Sequence, residues 1–163
     1  MSDIERSPDK LAALADAARA LEQARAAFAL IGGLAVGVHS GVPRATLDVD
    51  LAVVSMSDRS VIVETMRNAG FRLTGEFEHS ANFRHSSGEP VQLAFDASFD
   101  AMIDRAETLM LGNMSIRIVT KDDLIEMKRR ASVDPRRRKS KALRDQADLE
   151  LLRGDVPDPD EGW

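Results

Sequence analysis

Residues 30–54, LIGGLAVGVHSGVPRATLDVDLAVV, join an apolar run ending in two glycines to a second apolar run that contains two aspartates. Strands disfavour Asp, yet Asp48 and Asp50 stand one residue apart inside LDVDLAVV. In a strand, positions i and i+2 share a face. The two carboxylates are therefore expected to project together, with Leu47, Val49 and Leu51 on the other side. Like charges held that way repel unless a cation lies between them. A hard divalent ion, Mg²⁺ or Mn²⁺, accepts such oxygen ligands and keeps phosphate or water oxygens in its remaining positions. Gly32 and Gly33 suit the other half of such a site. A strand that turns at glycines into a helix lets its backbone approach a ligand closely, and the helix amides attract anions.

The bulk composition narrows the class. A chain of 163 residues, 44% hydrophobic and 30% charged, is long enough for one domain with a core and too ordinary in composition for wholesale disorder. With no cysteine it has neither disulfides, thiolate metal sites nor a cysteine nucleophile. The polar start MSDIERSPDK lacks the basic-then-apolar layout expected of a signal peptide, and no apolar run approaches the roughly 20 residues of a membrane helix. A cytoplasmic protein with no membrane partner is expected. The net charge of −5 argues against a surface that is basic throughout. Residues 128–144 depart from that average, with Lys128, Arg129, Arg130, Arg136, Arg137, Arg138, Lys139, Lys141 and Arg144 against Asp134 alone. This segment is either a solvated surface or an electropositive footprint for polyphosphate or RNA.

Periodicity places the elements. Ser7-Pro8 opens a helix over 8–27, with Leu11, Leu14, Ala18 and Leu21 at helical spacing. FALI is a buried strand, LAVGVHS a short helix and LDVDLAVV the second strand. Ser57 and Asp58 cap a helix that reaches Ala69 before Gly70. Residues 71–96 are strand-like, with PVQLAFD the clearest strand. SFDAMIDRAETL is expected to be helical and MLGNMSIRIV a hairpin around Gly112-Asn113. Thr120, with Asp123 three residues on, has capping-box spacing. A last helix is expected at 139–153. Domain limits of 1–153, followed by a frayed tail at 154–163, complete the division of the chain. The fold class is α/β (α+β): one domain built on a mixed β-sheet flanked by helices.

IGGLAVGVHSGVPRATLDVDLAV resembles the signature of the nucleotidyltransferase superfamily, in its small bacterial branch of AbiEii-type and minimal nucleotidyltransferases. VTKDDLIEMKRRA and ALRDQADLELL resemble the same branch, so the likeness runs from about Phe28 to Leu152. It implies an enzyme that moves a nucleoside monophosphate from an NTP such as ATP to a hydroxyl of RNA (a tRNA end) or protein, in a toxin–antitoxin or defence setting. By the same resemblance Asp48 and Asp50 bind Mg²⁺, Gly32 and Gly33 cradle the triphosphate, Lys128 contacts phosphate, and Arg44 and Thr46 orient the loop before the carboxylates. The superfamily usually supplies a third carboxylate from a neighbouring strand, and Gln92 stands at the corresponding position. Asp96 takes that role if the strand is shifted, although it lies about 13 Å along from Gln92. Otherwise the site has two carboxylates, and a nucleotide-binding or antitoxin-like module without turnover is the alternative. A plain RNA-binding domain that uses only the basic segment is a third candidate. A site this small is expected to be completed by a homodimer or a cognate partner chain.

The remaining polar residues suggest structural roles. His39 is expected to pack or cap. His79 and His85 are expected at the strand surface, and Asp145 and Asp148, on one helix face, are expected to clasp Lys128 or Arg129. No Ser-His-Asp set is evident.

Overall fold

The computed structural model describes residues 8–42 and 48–154. Helix α1 (Pro8–Gln23) leads into strand β1 (Phe28–Ile31), helix α2 (Gly32–Ser40) and strand β2 (Val49–Val53). Helix α3 (Arg59–Asn68) follows, then β3 (Arg72–Glu76), β4 (Ser80–Arg84) and β5 (Pro90–Ala94). A 3₁₀ turn at Ala97–Phe99 precedes α4 (Asp100–Asp104), β6 (Glu107–Leu111), β7 (Met114–Ile118), α5 (Lys121–Val133) and α6 (Lys139–Arg153). The strands form one mixed sheet in the order β3-β4-β5-β2-β1-β7-β6. β1 runs antiparallel to β2 and parallel to β7, while β2 runs parallel to β5. This is the mixed α/β domain anticipated from the sequence. Among the described residues no helix is long and apolar enough to cross a membrane.

The central strand β1 is buried at every position, as an unbroken apolar run requires. At β4 and β5 the sheet is two-faced. Ala81, Phe83, Val91 and Leu93 are buried, while Asn82, Gln92 and Ala94 between them are half-buried and Arg84 is exposed. Helix α1 packs on α3 and reaches β2 and β5, covering the Phe83–Leu93 face; α2 packs on β1, β2, α5 and α6. The Asp50–Gln92 face of β4 and β5 is left open.

Two helices are shorter than periodicity predicts. α1 stops at Gln23, short of residue 27, because Arg25 adopts φ 56°. Its amide bonds Glu22 O and that of Ala26 bonds Leu21 O, a Schellman closure with no glycine to announce it. The helix expected over SFDAMIDRAETL is only the 3₁₀ turn and α4. Glu107, Thr108 and Leu109 instead pair with Ile118, Arg117 and Ile116 of β7 in the anticipated hairpin around Gly112 (φ 62°). The cap at Thr120 forms as expected, its hydroxyl accepting from Asp123 N at 3.1 Å. The tail from residue 155 lies outside the described residues.

His85 departs most from expectation. It is buried, 8% exposed, rather than at the surface. Its Nε2 lies 2.7 Å from Asp16 Oδ2 and its Nδ1 lies 2.8 Å from Ser87 Oγ, so a Ser-His-Asp chain is present after all. The Ser87 amide also donates to Nδ1 at 3.2 Å, which makes Nδ1 an acceptor and leaves the Nε2 proton for Asp16. With that amide committed to the ring and Gly88 N bonded to His85 O, the two nearest backbone donors are spent inside the turn. The chain fastens the β4–β5 turn to α1, helped by Lys10–Glu89 at 2.7 Å and by the Phe71 ring 5.1 Å from the imidazole. His85→Ala is expected to lower unfolding stability by about 2–4 kcal/mol, through the lost charged hydrogen bond and the cavity, and Ser87→Ala by less than about 1 kcal/mol. Urea denaturation of both variants checks this.

Candidate nucleotide and metal site

The end of β1 lies beside the start of β2, with Ile31 opposite Asp50. The next residue, Gly32, turns the chain with φ +75° and begins α2. A Cβ at Gly32 would lie 2.9 Å from Asp50 Cβ and 3.0 Å from its Cγ, and closer still to Oδ2. Both the conformation and the space demand glycine here. The Asp50 carboxylate is thus packed against the backbone at the mouth of α2. That helix begins at Ile31 without a side-chain cap, so its first-turn amides, with the positive end of the helix dipole, face the carboxylate's end of the sheet. Gly33 is buried in that first turn.

Asp48 is exposed and stands one residue before β2. Arg44 and Thr46 lie outside the described residues. Gln92 on β5 is the direct cross-strand partner of Asp50, and Asn82 on β4 is the direct partner of Gln92. A row of carboxylate, amide and amide therefore crosses the open face. Asp96 is not brought into it. β5 ends at Ala94, and Asp96 caps the following 3₁₀ turn, accepting from Ser98 N at 2.9 Å. The backbone and side-chain hydrogen bonds of Ser98 hold its carboxyl below the usual range. The capping role, at the opposite end of β5 from Asp48, follows from the strand stopping two residues earlier than PVQLAFD suggests.

Lys128 of α5 is ion-paired. Its Nζ lies 3.4 Å from Asp145 Oδ1 and 3.2 Å from Asp148 Oδ2, across the α5–α6 pair. Both carboxylates belong to residues only 1% exposed, and Arg137 bonds Asp145 as well, at 2.5 Å. His39 of α2 donates from Nε2 to Val119 O at 2.7 Å, tying the helix to the end of β7. The basic segment is partly neutralised from within. Arg129 and Arg130 both bind Glu126, whose carboxyl their hydrogen bonds lower to about 2, and Arg136 binds Asp134. Arg138, Lys139, Lys141 and Arg144 are exposed.

Among the described residues no group of three His, Asp or Glu side chains is poised to hold a metal. A divalent cation at this place would find two hard oxygen ligands in Asp48 and Asp50, a set that suits an ion taking its other ligands from phosphate and water. The Gly32 cradle fits the same arrangement, since it brings backbone within reach of whatever Asp50 binds. Missed from the sequence were Asn82, Arg84 and Phe77 on the open face; the alternation in SANFR, apolar at Ala81 and Phe83 and polar between, is the signal that marks that face.

No protein-family model matches this chain, and no curated protein matches it in sequence. Solved structures do match its fold. The antibiotic-resistance factor ANT(2'')-Ia superposes with a TM-score of 0.63 at 15% identity, over 91% of each chain. The lincosamide antibiotic adenylyltransferase LnuA, bound to lincomycin, gives 0.57 at 12% identity over 83% of this chain and 91% of that one. An antigenic nucleotidyltransferase-like protein from Paracoccidioides brasiliensis gives 0.58 at 21% identity over 94% of this chain and 80% of its own. The fold of this chain is that of the nucleotidyltransferases.

Proposed function

We propose that this protein transfers a nucleoside monophosphate from an NTP to a hydroxyl, with Mg²⁺ or Mn²⁺ held by Asp48 and Asp50. The observation that carries this is the packing of the Asp50 carboxylate against Gly32 at positive φ, which brings an acidic strand residue and the N-terminus of α2 to one place. Gly32 and Gly33 are assigned to the triphosphate, and Arg44 and Thr46 to the loop that precedes the carboxylates. A bound divalent cation would neutralise phosphate charge and polarise the α-phosphorus. The acceptor oxygen attacks that phosphorus, the bond to the bridging oxygen breaks, and pyrophosphate leaves. Gln92, an amide, orients the acceptor hydroxyl without taking its proton, which passes to solvent. Adenylyltransferases among the structural neighbours favour ATP as donor. RNA (tRNA) or a protein is the acceptor, in a toxin–antitoxin or defence role, and a homodimer or cognate partner chain completes the shallow site.

A second reading rests on Gln92 opposite Asp50: NTP binding without turnover, in an antitoxin-like module. Incubation with Mg²⁺ and each α-labelled NTP, first with bulk tRNA and then with cell lysate, separates the two. Label that moves to an acceptor, and does not with an Asp48→Asn, Asp50→Asn double variant, supports transfer. Metal-dependent NTP binding with no transfer to any acceptor supports the second reading.

A further inference from the structure

The open face of the sheet carries more than the carboxylates. Arg72 of β3 and Arg84 of β4 are directly opposite each other, and Arg84 lies two residues from Asn82, on the same face. Like charges in direct cross-strand register destabilise a sheet. Both residues are exposed, and among the described residues neither guanidinium has a carboxylate partner. Arg84 uses one nitrogen on Gly88 O at 2.7 Å, which points the pair along the surface without neutralising it. An anion between them removes the repulsion.

The next row inward runs Asp50, Gln92, Asn82, Gly75. Asn82 Oδ1 is buried and has no hydrogen-bond partner, so it is an acceptor waiting for an N–H or O–H. Gly75 sits at a register shift in β3, and the Phe77 ring lies over it, 3.0 and 3.3 Å from where a Cβ would be. That ring is 57% exposed. The bulged glycine thus makes room for an aromatic surface at the end of the amide row, roughly 14 Å and three strand spacings from Asp50.

We infer that this face is the acceptor track for a single-stranded RNA 3′ end, with the terminal ribose beside Asp50 and Gln92, a base stacked on Phe77 and a backbone phosphate between Arg72 and Arg84. The inference rests on the proposed transfer site and names its acceptor. Charge complementarity selects a polyanion at the arginine pair in a chain whose net charge is −5. The exposed ring selects a planar group. The unsatisfied Asn82 oxygen selects a hydroxyl or amine donor, which the 2′-hydroxyl supplies in RNA and DNA lacks. The span from Asp50 to Phe77 is that of one to two nucleotides.

The test is fluorescence anisotropy of a 5′-fluorescein RNA octamer with a free 3′ hydroxyl, bound to the full chain over a salt series without NTP. An Arg72→Gln, Arg84→Gln variant is expected to bind at least tenfold more weakly and to lose about 0.7 from the salt slope, one phosphate contact's worth on a single strand. Phe77→Ala is expected to weaken binding by 5- to 100-fold and Phe77→Trp to restore it. Because all three positions are exposed, folding is checked by matching thermal melts. Wild-type protein that fails to bind the RNA, variants that bind as wild type, or equal binding of the matching DNA would overturn the track. RNA binding through these residues with no label transfer would sink the transferase proposal and leave the track standing. Equal labelling of a lysate protein by wild type and variants would keep the transferase and remove the track.

Discussion

Asp50→Asn is expected to reduce nucleotidyl transfer on the order of 10³-fold or more, with the melting temperature close to wild type. The amide keeps the shape that packs against Gly32, so the sheet and the turn are undisturbed. What is lost is a full negative charge in the site proposed to hold a cation against phosphates, and charge placed at the reacting centre contributes the largest share of such catalysis. Gly32→Ala provides the contrast. It imposes a side chain at φ +75° and pushes a methyl into the Asp50 carboxylate, at a strain of about 1–3 kcal/mol. That variant is expected to lose stability and transfer together. Single-turnover label transfer, paired with calorimetric titration of Mn²⁺, distinguishes them. Asp50→Asn activity within threefold of wild type would remove Asp50 from the metal site.

The motif at the mouth of α2 was legible because both of its parts break local rules. Two aspartates in an otherwise apolar run and a glycine pair between strand and helix each oppose propensity, and such conflicts collect where a fold serves a ligand. The helices at 121–133 and 139–153 were legible for the ordinary reason of cap and period. Elsewhere the signal was absent or shared. The end of α1 depends on Arg25 in a left-handed conformation, for which Arg carries no marker. Glu107–Leu109 suit a helix by propensity and become a strand because β7 offers them partners. Asp16 and His85 are 69 residues apart, and only the packing of α1 on the sheet makes them neighbours. The alignment of Gln92 with Asp50 came from resemblance to a family, and the parallel β2–β5 register is what sets the two side by side. The open face shows an intermediate case: SANFR alternates visibly, yet which residue faces which ligand follows only once β3, β4 and β5 are in register.

Lys128 gives the second large effect, and its sign differs between the two roles open to it. As a phosphate contact it would be dispensable for folding, and Lys128→Met would weaken NTP binding alone. Its position, bridging Asp145 and Asp148 between α5 and α6 at 3.4 and 3.2 Å, predicts the opposite. Removing a buried cation from two carboxylates that are 1% exposed leaves desolvated negative charge with less to balance it, and breaking a buried pair typically costs 3–5 kcal/mol. For a chain of this length that is a fall in melting temperature of roughly 10 °C. Arg137 still serves Asp145, which limits the loss there, and adding Asp148→Leu to Lys128→Met is expected to recover part of the rest. Replacing a buried ion pair by apolar groups is often close to neutral, whereas leaving half of one is not. Urea midpoints of the single and double variants decide the matter, with NTP affinity measured alongside. An unchanged midpoint with weakened NTP binding would return Lys128 to the phosphates. A lowered midpoint rescued by the second substitution would make it the pin that holds α6 against α5, and through α6 the helix α2 on which the Gly32 turn opens.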